Sequence, residues 1–214
     1  LITMQAQYSH YLEMIEPVLK KLIDRLAQHY DYVSVLATDT KGKRYQVTRR
    51  GYSLQDTFLV ERGCVVRVFN GINYSEHSFN QLDDQLLDEV IQAIHHVVKE
   101  DIGILTSSGF KLLESPVIEE EETHLLIQGE LEIDPKSYTH QQKFDLMKAL
   151  SERIIAASEY IMDGRVSCEE VHVSKLFLSP KKEMRQTYIW EDASYLALAN
   201  SDKGLRYVHK HMTG

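Results

Sequence analysis

Histidine, cysteine and the carboxylates are the side chains that could do hydrolytic or metal chemistry here, and their spacing is informative. Ten histidines occur, at positions 10, 29, 77, 95, 96, 124, 140, 172, 209 and 211. A helical zinc site of the peptidase kind needs two histidines at i and i+4, with a glutamate beside them as general base. No two histidines are four apart. His95 and His96 are neighbours on a helical pattern, where successive side chains diverge by about 100°, so they cannot share a metal there. His209 and His211 would lie on one face of a strand and could form a two-ligand clip, although exposed strand residues are the ordinary reading of that spacing.

The acids and thiols are no more convergent. Glu119, Glu120, Glu121 and Glu122 could bind a divalent cation, but a run of like charges usually marks a solvated, self-repelling segment. Asp83-Asp84 and Glu169-Glu170 are sequence neighbours whose side chains must point apart. Cys64 and Cys168 sit among apolar residues in strand-like runs, where a free cysteine behaves as a small buried hydrophobe. Two distant cysteines do not make a disulfide framework, and a reducing compartment is expected. Neither a Gly-x-Ser-x-Gly elbow nor a phosphate-cradling glycine loop is present. No catalytic, metal-binding or cofactor-binding residue is therefore assigned, and the substrate-contacting residues are unknown.

Charge and hydropathy narrow the partners. The net charge is −8, with basic residues only in short pairs such as Lys20-Lys21, Arg49-Arg50 and Lys181-Lys182. That balance argues against nucleic-acid binding. No apolar run approaches the ~20 residues of a membrane span. The first residues carry no basic-then-apolar leader, so a cytoplasmic location is expected.

The elements that must position any site follow from periodicity. Leu12, Ile15, Leu19, Leu22, Ile23, Leu26 and Tyr30 form one apolar helical face, interrupted at Pro17, where the helix should start or kink. Strands are expected at Tyr32 to Ala37, Arg44 to Thr48, Tyr52 to Val60, Cys64 to Phe69 and Ile72 to Phe79. Turns are expected at residues 39–43, at Gly51, at residues 61–63 and at Asn70-Gly71. A helix from Leu82 to about Val98, capped by Asn80 or Asp83, completes an α+β unit over residues 1–102 with an antiparallel sheet flanked by helices. Residues 103–134 resemble an acidic linker, with a short strand at Leu125 to Ile127. Residues 135–214 form a second unit. Its helix opens at the Thr139-His140-Gln141-Gln142 capping box, presents Leu146, Leu150, Ile154, Ala157 and Ile161 on one face, and ends at Gly164. Strands follow over Arg165 to Leu178, Met184 to Trp190, Tyr195 to Ala199 and Leu205 to His211. The sheet pattern is still running at Gly214, which suggests a truncated middle domain.

Several phrases also carry a resemblance. Arg49 to Leu54, then Glu61-Arg62-Gly63-Cys64-Val65-Val66-Arg67-Val68-Phe69-Asn70-Gly71, then Tyr74-Ser75-Glu76, is similar to the amino-terminal domain of the TldD/PmbA family. So is the Leu82-Asp83-Asp84-Gln85-Leu86-Leu87-Asp88-Glu89-Val90 helix. Asp134-Pro135-Lys136-Ser137 with Gln142 to Met147 resembles the entry to that family's middle domain, and Phe177-Leu178-Ser179 and Ala199 to Gly204 resemble later strands. The order and spacing hold over roughly residues 10 to 210.

The resemblance implies the amino-terminal and middle domains of a protein described as a modulator of DNA gyrase or a zinc metallopeptidase. It implies proteolysis of unstructured peptides and a homo- or heterodimer partner of the same family. Zinc is implied only for an intact active-type member, whose His-Glu-x-x-x-His motif matches no position here. The expected function is the non-catalytic portion that shapes the peptide channel and the dimer interface. The alternative is a stand-alone interaction or regulatory module without enzymatic activity.

Overall fold

The computed structural model describes residues 3–109 and 112–214. It has the expected α+β class: three long helices lie on one face of a mainly antiparallel sheet. No helix among the described residues is long and apolar enough to cross a membrane.

Strand β1 (Met4–Gln5) leads into helix α1 (His10–Leu26). Ser9 caps α1: its hydroxyl accepts the amide of Leu12 at 3.2 Å and donates to Asp39 at 2.6 Å, satisfying one of the orphan donors of the first turn. The helix therefore starts before Pro17 and runs through it. The ring lies on the exposed side, where losing one internal hydrogen bond is tolerable. Strand β2 (Val33–Thr48) is a single 16-residue strand. The turn expected at residues 39–43 does not form, because Thr38 to Lys43 continue the pairing with a later strand without a break.

Strands β3 (Gly51–Asp56) and β4 (Glu61–Phe69) both pair with β2, along its second and first halves respectively. Strand β5 (Tyr74–Phe79) returns along β4 after a turn at Asn70-Gly71, where Gly71 takes the positive φ of 96° that such turns require. Helix α2 (Leu87–Ser107) begins later than expected, and neither Asn80 nor Asp83 is its N-cap. Asp83 instead accepts the amides of Gln85 and Leu86 in the preceding turn.

Residues 103–134 comprise the end of α2, strand β6 (Thr123–Gln128) and strand β7 (Glu130–Leu131), which pairs with β1. Helix α3 (His140–Ala156) opens on the expected capping box of Thr139 and Gln142. Strands β8 (Ile161–Leu178), β9 (Lys182–Ser201) and β10 (Gly204–Thr213) complete the sheet. The stretch expected as two strands, 184–190 and 195–199, is one continuous β9.

The sheet runs β10-β9-β8-β2-β4-β5, with β3 beside β2 and β6 parallel to β9. Strands from residues 1–102 and 135–214 thus share one sheet: β2 lies along β8 from Val35↔Leu178 to Val47↔Val166. Two cores sit under the helices. The larger joins α1 and α2 to Val33, Val35, Val66, Val68, Leu176 and Leu178. The smaller joins Phe144 and Met147 of α3 to Tyr45, Val47 and Val166.

Helix α3 turns a different face inward from the one expected. Phe144, Met147 and Ser151 are buried, while Leu146 and Leu150 are 64% and 37% exposed. Gly164 does not end the helix. It lies in β8, where an added Cβ would come 2.8 Å from the carbonyl oxygen of Ser151 and 3.0 Å from Ile154.

Candidate functional site

The residues singled out for chemistry are mostly engaged in structure. The rings of His209 and His211 lie 6.5 Å apart on exposed β10, and His211 is turned to the Asp192 carboxylate. His95 bonds the Tyr30 hydroxyl at 2.6 Å and stacks edge-on with His29, tying the end of α1 to α2, while His96 faces Glu100. In the acidic run, Glu120 accepts the Ser179 hydroxyl at 2.5 Å, and its carbonyl accepts from Lys181. Among the described residues, no three His, Cys, Asp or Glu side chains converge as metal ligands would.

The thiols are equally unsuited to attack, because the reactive form is the thiolate. Burial pushes Cys64 up to about 12. Cys168 is also pushed up to about 12, by burial first and then by Glu191 and Glu170.

A concavity lies on the sheet face opposite the helices. Side chains alternate across a sheet. Because Val33, Val35 and Ala37 enter the core, Leu36, Thr38 and Thr40 point to the other side. There they line a groove of about 770 Å³ together with Val65, Val173, Tyr188 and Trp190. The groove is walled by Leu59, from the β3–β4 connection, and by Phe79, at the end of β5. Lys175 and Glu61 supply one charge of each sign.

The β3–β4 connection is anchored at Thr57. Its amide donates to the Gly42 carbonyl, and its hydroxyl bonds Glu169 on β8. Beyond this anchor Phe58, Leu59 and Val60 are 85%, 51% and 53% exposed, an apolar tip at the lip of the groove.

Apolar and aromatic walls with few polar groups suit binding of a side chain or an extended segment. A nucleophile with its base, or a general acid–base pair, is not assembled there. Sequence reasoning assigned none of these groove residues. Trp190 and Tyr188 read as ordinary strand aromatics, and only their register with Val171 and Val173, which themselves lie opposite Gly42 and Thr40, brings them onto the groove face. The one available signal was the Thr57 to Val60 segment, whose three consecutive apolar residues do not alternate as a half-buried strand would.

No protein-family model and no curated protein sequence matches the chain. Solved structures do. A protein from Bacteroides thetaiotaomicron described as a candidate modulator of DNA gyrase aligns with a TM-score of 0.66 at 14% identity, over 92% of this chain and 44% of its own. One of the same description from Thermotoga maritima aligns with a TM-score of 0.66 at 10% identity, over 94% and 43%. TldE from Thermococcus kodakarensis aligns with a TM-score of 0.60 at 10% identity, over 92% and 42%. The chain spans less than half the length of these proteins, and over that span it shares their fold.

Proposed function

We propose that this chain is the non-catalytic amino-terminal and middle portion of a TldD/PmbA-type protein, and that it contributes a peptide-holding surface and subunit contacts rather than the cutting centre. The observation that carries this reading is the alignment of more than nine-tenths of the chain with under half of each gyrase-modulator-like and TldE structure. The ordered motif series from Arg49 to Gly204 supports the same assignment. On this reading the open-face groove and the Phe58-Leu59-Val60 lip receive part of an unstructured peptide. Apolar walls favour such a segment by burial rather than by signature hydrogen bonds. Zinc belongs to this reading only through residues outside the 214 of this chain.

The chain contains a single tryptophan, and it lines the groove, so binding has a built-in reporter. Titrating purified protein with an unfolded, apolar-rich peptide should shift or quench Trp190 emission saturably. Phe58→Ser should weaken that response at least several-fold. The same preparation, supplied with zinc, should retain no stoichiometric metal and cleave no peptide. Peptide hydrolysis by this chain would overturn the assignment, and an unresponsive Trp190 would remove the groove from it.

A further inference from the structure

We propose that Lys175 and Glu61 select what the open-face groove holds: an extended segment with an acidic side chain, two apolar residues and a basic side chain in succession. The selection rests on the groove's being a peptide site and adds a charge requirement to it. Other charges on this sheet face are already matched. Arg67 pairs with Glu76 at 2.6 Å, and the Thr57 hydroxyl bonds Glu169. Asp163 accepts the Arg49 amide at 2.8 Å, and Asp192 faces His211. Lys175 and Glu61 are the two charged residues that line the groove, and neither has an ion-pair or hydrogen-bond partner among the described residues.

The strand register explains why the two do not satisfy each other. Lys175 of β8 lies opposite Thr38 of β2, and Glu61 of β4 lies opposite Thr40. Two strand spacings therefore separate them sideways, roughly 10 Å, with the threonines between. Lys175 is only partly exposed, and along its own strand it stands between Val173, which is buried, and Phe177. An ammonium held among apolar side chains has lost hydration that a carboxylate can replace. Glu61 is exposed, and offers a cation a place at the rim.

An extended chain advances about 3.3 Å per residue, so residues three apart span the same ~10 Å. An acid set against Lys175 then brings a basic residue three positions along the segment to Glu61. Side chains of the two residues between point in opposite directions. One turns to the floor, where Leu36 and Val173 supply apolar surface, and the other turns out toward Leu59 on the wall. Reversing the segment in the groove would set like charge against like at both ends, so the two residues fix its direction as well as its composition.

The test is a titration of Trp190 emission with three end-blocked peptides of equal length. The first carries glutamate, two leucines and lysine in succession, the second has glutamine for the glutamate, and the third has glutamine for the lysine. The parent protein should bind the first about three- to fivefold more tightly than either of the others at low salt, with the difference shrinking at high salt. In Lys175→Met the first and second should bind alike, and in Glu61→Gln the first and third should. Equal binding of all three by the parent protein, a comparison that needs no variant to fold, would overturn the selection and leave the groove reading standing. So would a glutamate preference that survives Lys175→Met. No Trp190 response to any of the three would remove both.

Discussion

Gly42 sits in the middle of β2, and replacing it with alanine tests how closely β2, β8 and the β3–β4 connection are fitted together. An added Cβ would stand 2.5 Å from the carbonyl oxygen of Glu170 and 2.6 Å from the Thr57 γ-methyl, with Val171 at 3.2 Å. The first neighbour is backbone in the longest strand pairing β2 makes, so it cannot swing aside. The second is a side chain buried to 4% exposure. Forcing a methyl group into a filled site costs about 1–3 kcal/mol. Removing a strand glycine recovers about 0.5–1 kcal/mol of backbone entropy. The steric term is at its upper end because two contacts fall below 3.0 Å, so the net destabilisation should be about 2 kcal/mol. For a chain of this size that lowers Tm by about 4–8 °C, measurable by calorimetry or by far-ultraviolet circular dichroism. Thr57→Ser removes the γ-methyl but keeps the hydroxyl that bonds Glu169, so Gly42→Ala should cost less in that background. A Tm unchanged or raised in Gly42→Ala would refute the close-packed crossing, and strict additivity of the two substitutions would show that Thr57 is not the neighbour that matters.

Two further outcomes follow from single side chains. Ser9→Ala removes both the α1 cap and the bond to Asp39, and should cost about 1–2 kcal/mol in urea denaturation with an unchanged m-value. A cost below about 0.3 kcal/mol would mean that Ser9 does not anchor α1. Because burial holds both thiols far above neutrality, native protein at pH 8 should react with a disulfide reagent at least 100-fold more slowly than denatured protein. A fast native phase would show that one of the thiols is accessible.

Much of the fold is legible in the residues because local chemistry and burial agree there. The α1 stripe from Leu12 to Leu26, the Asn70-Gly71 turn and the Thr139–Gln142 capping box all form as expected. The disagreements share a cause, which is that glycines and short polar runs were assigned to turns when long-range pairing gives them other work. Gly42, within Asp39 to Lys43, resembles a turn glycine in every local respect. It is needed instead because the Glu170 carbonyl and Thr57 approach β2 too closely for a side chain. Gly164 looks like a helix terminator, yet its role is to let β8 pass under Ser151 and Ile154. Neither approach has any signature within a local window, since the partners lie ten or more residues away.

Helix α3 shows the same limit from the side of hydrophobic patterning, and it bears on the site. The stripe Leu146, Leu150, Ile154, Ala157 and the stripe Phe144, Met147, Ser151, Ile154 are both spaced at three and four residues, so periodicity alone cannot choose between them. The choice is made by what the sheet offers beneath. Tyr45 and Val166 present an aromatic and an aliphatic surface, with Tyr52 stacking on Phe144 at 4.7 Å. The Glu170 carboxylate stands where Lys143 can reach it. Burying Leu146 instead would rotate the helix by roughly two residues' worth of turn, about 200°. Lys143 would then move away from Glu170, leaving Glu170 and Glu191 facing one another with no cation. The Lys143–Glu170 ion pair and the apolar contacts of Phe144 and Met147 therefore favour the same rotation of α3, which leaves Leu146 and Leu150 outside.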